Sequence, residues 1–276
     1  MSKSTRVRPR DLRAVYRIAG DCRDLGDDSA AWRRVWFEQL ARLVGADLGV
    51  GGEQGGWRAG EPADLGTADW GWDGGFDRAG WERSCAEFRD DPRLTRTTSM
   101  KRYIPRGLVD DGAALARTDL ISDRGWYRCW NYQNIQRPMG VDHTVWCFRA
   151  LSRGPGDEYS GVILARAPGR PDFTAREKAV VRESHALIAP LVGGPLARFA
   201  DPSPATLPPR TRQVLRRVLE GDSDKQVAAR LGITPLTVNQ HTKLIFRHFG
   251  VQSRAELLAR WVRRGWGGRF AWADPG

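Results

Sequence analysis

The 276-residue chain carries 44 Lys and Arg against 33 Asp and Glu, a formal net charge of +11 at pH 7. That length allows two domains with a sizeable core. No apolar run approaches membrane-spanning length, and the basic N-terminus is not followed by an apolar segment, which argues against an anchor and a signal peptide and for a cytoplasmic location.

The four cysteines, Cys22, Cys85, Cys129 and Cys147, lack the short paired spacing of metal clusters and are read as reduced thiols. Residues 2–10 form a basic, polar lead. Leu12, Val15, Tyr16, Ala19, Cys22 and Leu25 recur at helical spacing and predict a first amphipathic helix. Ser29 is placed to cap a second, with Trp32, Val35, Trp36, Leu40, Leu43 and Val44 on one face. Leu48-Gly49-Val50 predicts a short strand. From Gly51 to Trp81 periodicity is lost among Gly, Asp and Trp, and the segment is read as a loop whose tryptophans cover a core. A helix is predicted from about Asp77 to Phe88, stopping at Asp91-Pro92.

Between Arg117 and Tyr132, Asp123 is placed to cap a short helix that draws Trp126, Tyr127, Trp130 and Tyr132 together, ended by Arg137-Pro138. Two strands are predicted, His143 to Leu151 and Tyr159 to Arg166, joined by a Gly154-Pro155-Gly156 turn. Thr174 with Glu177 has capping-box spacing and opens a helix that turns Val180, Val181, Ser184, Leu187, Ile188 and Leu191 inward. This order predicts an α+β domain, an antiparallel sheet flanked by helices.

From Gly193 to Pro209 there are five prolines and two glycines, the composition of a semi-rigid linker. Beyond it the basic excess concentrates. Residues 205–276 hold 13 Lys and Arg against 5 Asp and Glu, whereas the rest of the chain holds 31 against 28. Attraction to phosphate needs an excess of this kind. Helices are predicted over Arg210–Glu220, Asp224–Leu231, Pro235–Phe249 and Arg254–Arg264. Val214, Leu215, Val218, Leu219, Val227, Leu231, Val238, Ile245 and Phe249 are expected to form their core. Ser223 with Gln226 forms a capping box, Gly232 suits a left-handed helix end, Thr234 can cap the next helix and Pro235 suits its first position. Two helices with a Gly-containing turn make a helix-turn-helix, whose second helix fits the DNA major groove.

These residues resemble the LuxR-type (GerE-like) DNA-binding domains of bacterial transcription regulators. The resemblance runs from about Leu207 to Arg264. It rests on Leu207-Pro208-Pro209-Arg210, Leu219-Glu220-Gly221, Thr237-Val238 followed by His241, Phe249-Gly250-Val251 and Ser253-Arg254-Ala255-Glu256-Leu257. It implies an all-α domain of four helices whose third enters the major groove, with Asn239, Gln240 and Lys243 facing base edges. Asn and Gln amides pair with adenine, and Lys reaches guanine acceptors. Lys225, Thr234, Thr237, His241 and Arg247 are candidates for phosphate contacts, which fix register without reading sequence. Ser253 with Glu256 forms a further capping box, and the final helix implies a dimer interface with Leu258, Trp261 and Val262 as its candidates.

The N-terminal half resembles the GAF- or PAS-like sensor domains that precede LuxR-type domains, chiefly in Arg137-Pro138-Met139-Gly140-Val141-Asp142-His143. The expected division is a sensor-like domain over 1–194, a linker over 195–206, the DNA-binding domain over 207–265 and a tail over 266–276, to which no role is assigned. Trp126, Tyr127, Trp130, His143 and Trp146 are the candidate ligand-pocket residues, although a packed core strand is the favoured account of His143, Trp146 and Cys147.

The chain lacks a phosphate-binding loop of the GxxxxGK[ST] type and the βα alternation of a phospho-acceptor receiver. Three readings follow: a dimeric transcription regulator gated by a signal at its N-terminal half, an orphan regulator whose N-terminal half serves only dimerisation or partner docking, and an enzyme on a DNA-binding tail. The third is weakest, because no nucleophile–base set or metal-ligand cluster emerges, and no cofactor is expected. The candidate partners are double-stranded DNA, a second protomer, RNA polymerase and an unidentified small molecule, without a membrane.

Overall fold

The computed structural model describes residues 6–58, 63–72, 77–80, 82–83, 98–152 and 156–266. The chain divides into two compact units, Met1–Cys22 with Arg33–Val192, and Arg23–Trp32 with Gly193–Gly276.

Two helices open the chain, α1 (Pro9–Asp24) and α2 (Ser29–Val44). The buried stripe of α1 is Asp11, Val15, Ile18 and Cys22, while Leu12 and Tyr16 of the predicted stripe face outward. Asp11 stays charged inside because Arg176 binds both of its carboxylate oxygens. The N-terminal cap of α2 is Asp28, whose Oδ1 accepts from the N–H groups of Ala30 and Ala31, both at 3.0 Å, so Ser29 does not cap it.

The first unit is built on an antiparallel sheet. Among the described residues it has five strands in the order β2-β1-β5-β4-β3, formed by β1 (Leu48–Gly55), β2 (Ala63–Trp70), β3 (Ala114–Ala116), β4 (His143–Ala150) and β5 (Glu158–Arg166). The expected loop after Val50 is therefore corrected: β1 continues through Gly51 and Gly52, and β2 lies in the same stretch. A Cβ at Gly51 would stand 2.1 Å from the Gly161 carbonyl oxygen and one at Gly52 1.9 Å from that of Gly66. Neighbouring backbones thus come too close for any side chain, which is why the strand carries no alternating pattern. Of the predicted 77–88 helix, residues 78–80 and 82–83 are helical, while the remainder and Asp91-Pro92 lie outside the described residues. So do Cys85, Gly154 and Pro155 of the predicted turn, residues 2–5 of the N-terminal lead and the tail after Trp266.

One sheet face meets α2 and α6 (Ala175–Ile188). There Trp36 Nε1 donates to Ser184 Oγ at 2.9 Å, and His185 Nδ1 lies 3.3 Å from Cys147 Sγ. Arg33 and Glu53 form a fully buried ion pair on this face. The predicted capping box opens α6: Glu177 N–H donates to Thr174 Oγ1 at 3.3 Å, and Thr174 N–H to Glu177 Oε2 at 2.8 Å. The other face buries an aromatic cluster of Trp57, Tyr103, Trp146, Phe148 and Tyr159. Tyr103 comes from α3 (Thr98–Val109), a helix the sequence reading misses because Pro105 lies inside it.

Short elements α4 (Arg117–Leu120) and α5 (Asp123–Arg128) lead into a single π turn over Tyr132–Gln136. Ser122, not Asp123, caps α5, its hydroxyl accepting from Gly125 N–H at 3.3 Å. Asp123 instead pairs with Arg117.

The second unit is helical: α7 (Pro209–Leu219), α8 (Asp224–Leu231), α9 (Pro235–Phe249) and α10 (Arg254–Arg264). Its core holds Val214, Leu215, Val218, Val227, Val238, Ile245 and Phe249, with Leu219 and Leu231 packed partly against them. Where the sequence predicts a semi-rigid spacer, residues 193–208 lie on these helices as a strap. Leu196 and Ala197 are fully buried. Ala197 N–H donates to the Gly26 carbonyl at 2.6 Å, and Trp32 Nε1 donates to the Ala197 carbonyl at 2.9 Å.

Candidate nucleic-acid interface

The turn between α8 and α9 is specified residue by residue. Ser223 donates from both its N–H and its hydroxyl to Gln226 Oε1, at 2.8 and 2.7 Å, fixing the start of α8. Gly232 ends it in the left-handed conformation, φ +62°, and Ile233 N–H returns to the Ala228 carbonyl at 3.1 Å. Thr234 then caps α9, its Oγ1 accepting from Thr237 N–H at 3.1 Å, with Pro235 following.

Helix α9 buries Val238, Ile245 and Phe249 and turns the opposite face outward. Asn239, Gln240 and Lys243, the residues predicted to read bases, are all exposed there, as is Arg247. Lys225 and Thr234 are exposed on α8 and at the α9 cap. Thr237 and His241 are half-buried. Thr237 and Thr234 hydroxyl oxygens lie 2.9 Å apart, and His241 Nδ1 lies 3.0 Å from the hydroxyl of buried Thr211 on α7. Burial, followed by the charge of Arg210, lowers the His241 pKa below the ordinary histidine range. A neutral imidazole that accepts from Thr211 at Nδ1 keeps its proton on Nε2, leaving that N–H as a donor.

The final helix is secured at both ends. Glu256 N–H donates to Ser253 Oγ at 3.1 Å, but Glu256 Oε2 accepts from Gln252 N–H at 2.8 Å rather than from Ser253. At its C-terminus Arg264 pairs with Asp201 of the strap, and Trp266 Nε1 donates to the Pro195 carbonyl at 3.2 Å. The assignment of Trp261 to a dimer interface is corrected here. It is 4% exposed, stacked edge-on between Phe249 and Trp266 with centroids 5.4 and 5.0 Å away, and so unavailable to a second protomer. Leu258 is half-buried, and Val262 is 78% exposed on the outer side of the helix. Trp266 is the contributor the sequence reading missed, since it stands beyond the helical pattern.

The predicted ligand-pocket residues do not all gather in one place. Trp126, Tyr127 and His143 gather around Asp142 and Arg117: Trp126 Nε1 and Tyr127 Oη each donate to Asp142 at 3.1 Å, and Arg117 Nη2 lies 3.1 Å from His143 Nδ1. The Arg117 guanidinium stands 5.6 and 5.5 Å from the centroids of Trp126 and Tyr127. Trp146 belongs to the aromatic cluster on the sheet, and Trp130 is 60% exposed. Among the described residues no group of three His, Cys, Asp or Glu is placed to hold a metal ion, and no helix is long and apolar enough to cross a membrane.

Residues 205–261 match the family model of bacterial regulatory proteins, luxR family. The C-terminal segment is a LuxR-family helix-turn-helix domain. Over 60 residues the chain is 40% identical to a candidate HTH-type transcriptional regulator of Mycobacterium bovis, a match covering 22% of this chain and 7% of that protein. Over 129 residues it is 35% identical to the probable transcriptional regulatory protein NarL of Mycobacterium tuberculosis, covering 42% of this chain and 60% of NarL. The chain thus spans only a small part of the first of these relatives and under two thirds of the second. Both are named as transcription regulators, and the LuxR-type domain is the DNA-binding kind. The crystal structure of Escherichia coli SdiA aligns with 91% of this chain and 97% of its own, at 16% identity and a TM-score of 0.42.

Proposed function

We propose that the chain is a transcription regulator that inserts α9 into the major groove as a dimer and is gated by a signal at its N-terminal unit, a GAF- or PAS-like sensor. The observation that carries this is the outward face of α9. Asn239, Gln240 and Lys243 stand exposed together on a helix whose opposite side is buried, at the place where the LuxR-type pattern puts base contacts. Each good amide or ammonium pairing is worth roughly 1–3 kcal/mol of discrimination between bases. Lys225, Thr234, Thr237, Arg247 and the Nε2–H of His241 serve the phosphates on either side. Leu258 and Val262 make the dimer contact, bringing two recognition helices to adjacent half-sites. RNA polymerase is the further partner of this reading, and the cytoplasm its compartment.

The domain division belongs to the same proposal: a sensor part over 1–194, a connector over 195–206 that works as a strap, a DNA-binding domain over 207–265 and the tail over 266–276. Selection of bound duplexes from random DNA by the full chain tests it. Enrichment of a two-fold symmetric site is expected, and recovery of no preferred sequence would refute base reading.

The alternative, an N-terminal unit that only dimerises or docks a partner, is favoured by one observation. Both Asp142 oxygens are taken by Trp126 and Tyr127, so this polar group answers its own needs without a ligand. Heating the chain with a panel of metabolites separates the two, since a ligand at 100 times its Kd raises stability by about 2.7 kcal/mol.

A further inference from the structure

Positions 236, 240, 243 and 247 of α9 follow the i, i+4, i+7, i+11 spacing that lines one helix face. Three of them are Gln240, Lys243 and Arg247. The fourth is Leu236, 71% exposed, and it stands outside the apolar core of its unit. A single exposed leucine on a protein surface needs no explanation. This one stands on the outward polar face of the recognition helix, one turn ahead of Asn239 and Gln240 and directly after Pro235, at the N-terminal end that meets base edges in helix-turn-helix domains.

A leucine there leaves most of its side chain in water and gains only when something apolar covers it. In the major groove the apolar feature on a base edge is the C5-methyl group of thymine, which side-chain methyl groups contact. We propose that Leu236 is a specificity-determining residue that packs on a thymine methyl in each half-site. The inference rests on α9 being the groove-facing helix. It adds a contact with the thymine methyl that hydrogen-bonding side chains do not make.

The test uses the full chain and a Leu236→Ala variant, which keeps a strong helix former at an exposed position. Each is used to select duplexes from random DNA. The native chain is expected to enrich a thymine at a fixed position that the variant leaves open. In the selected duplex, replacing that thymine by deoxyuridine removes only the methyl. It should weaken the native chain roughly three- to five-fold per half-site, the value of burying about one methyl group, and leave the variant unchanged. A selected duplex bound equally well with uracil at every thymine position overturns the inference, as does a uracil penalty of the same size in both proteins. A variant weakened equally on all sequences overturns it too, and points to a protein contact at Leu236 instead. 5-Methylcytosine carries the same methyl, so methylating a cytosine·guanine pair placed at that position should tighten binding of the native chain and leave the variant unchanged; no difference between cytosine and 5-methylcytosine for the native chain overturns the inference. If the native chain enriches no sequence at all, base reading by α9 fails and the inference with it; an enriched but uracil-indifferent site removes the inference alone.

Discussion

The guanidinium of Arg264 donates two hydrogen bonds to the carboxylate of Asp201, at 2.8 and 2.7 Å, with both side chains largely shielded from solvent. The pair joins the last turn of α10 to the strap, beside the Trp266–Pro195 hydrogen bond. Removing one partner leaves the other charge short of its bidentate match. Arg264→Ala should lower the stability of the helix-turn-helix unit by about 1–3 kcal/mol. Urea denaturation followed by tryptophan fluorescence reads this, and an unchanged midpoint would show that the strap is held without the pair.

Gly232 sits at φ +62° with nothing within 4 Å of where a Cβ would stand. Substitution there is opposed by backbone strain alone, about 1–2 kcal/mol for an L-residue in the left-handed region. Stability should fall from Gly through Asn to Ala, with DNA affinity following only through the folded fraction. Equal thermal midpoints for Gly232→Asn and Gly232→Ala would contradict this account.

Burial, followed by the charge of Arg149, drives the His185 pKa from 6.5 down to about 3. The unfolded chain therefore takes up a proton near pH 6.5 while the folded chain does not until about pH 3. The stability from the neutral imidazole is fully present above pH 6.5 and is lost as pH falls through that window, at up to about 1.4 kcal/mol per pH unit. His185→Gln should flatten this part of the acid limb between pH 6 and 4, measured as unfolding free energy against pH. Parallel curves for the two proteins would mean that His185 accepts a proton in the folded state.

On DNA, Asn239→Ala, Gln240→Ala and Lys243→Ala should each relax preference at particular base positions. Lys225→Ala should weaken all sequences alike and shallow the salt dependence by about one unit of slope. Competition binding against scrambled duplexes at several salt concentrations distinguishes the two patterns. A uniform loss in all four variants would dissolve the division between reading and anchoring residues.

The C-terminal helices are legible in the sequence because their signals are local. The caps at Ser223 and Thr234, the stop at Gly232 and the apolar period from Val214 to Phe249 each act within a few residues of their own position. Strands β1 and β2 escape for the opposite reason. Gly51 and Gly52 answer to the backbones of Gly161 and Gly66, which no window of adjacent residues contains. The outward face of α9 could be read from its period. The burial of Trp261 is not legible in the same way, because an apolar stripe does not say which of its members other elements cover. Its cover is Phe249 and, beyond the helical pattern, Trp266.

The hydrogen bond from Trp32 to the Ala197 carbonyl spans 165 positions of sequence. On the ribosome the segment over residues 23–32 emerges first and waits for its partner. At 5–20 residues per second that delay is roughly 8–33 s. The helix-turn-helix unit is thus discontinuous along the chain, and the hydrogen bonds that join Ala197 to Gly26 and Trp32 close only after residue 197 is made.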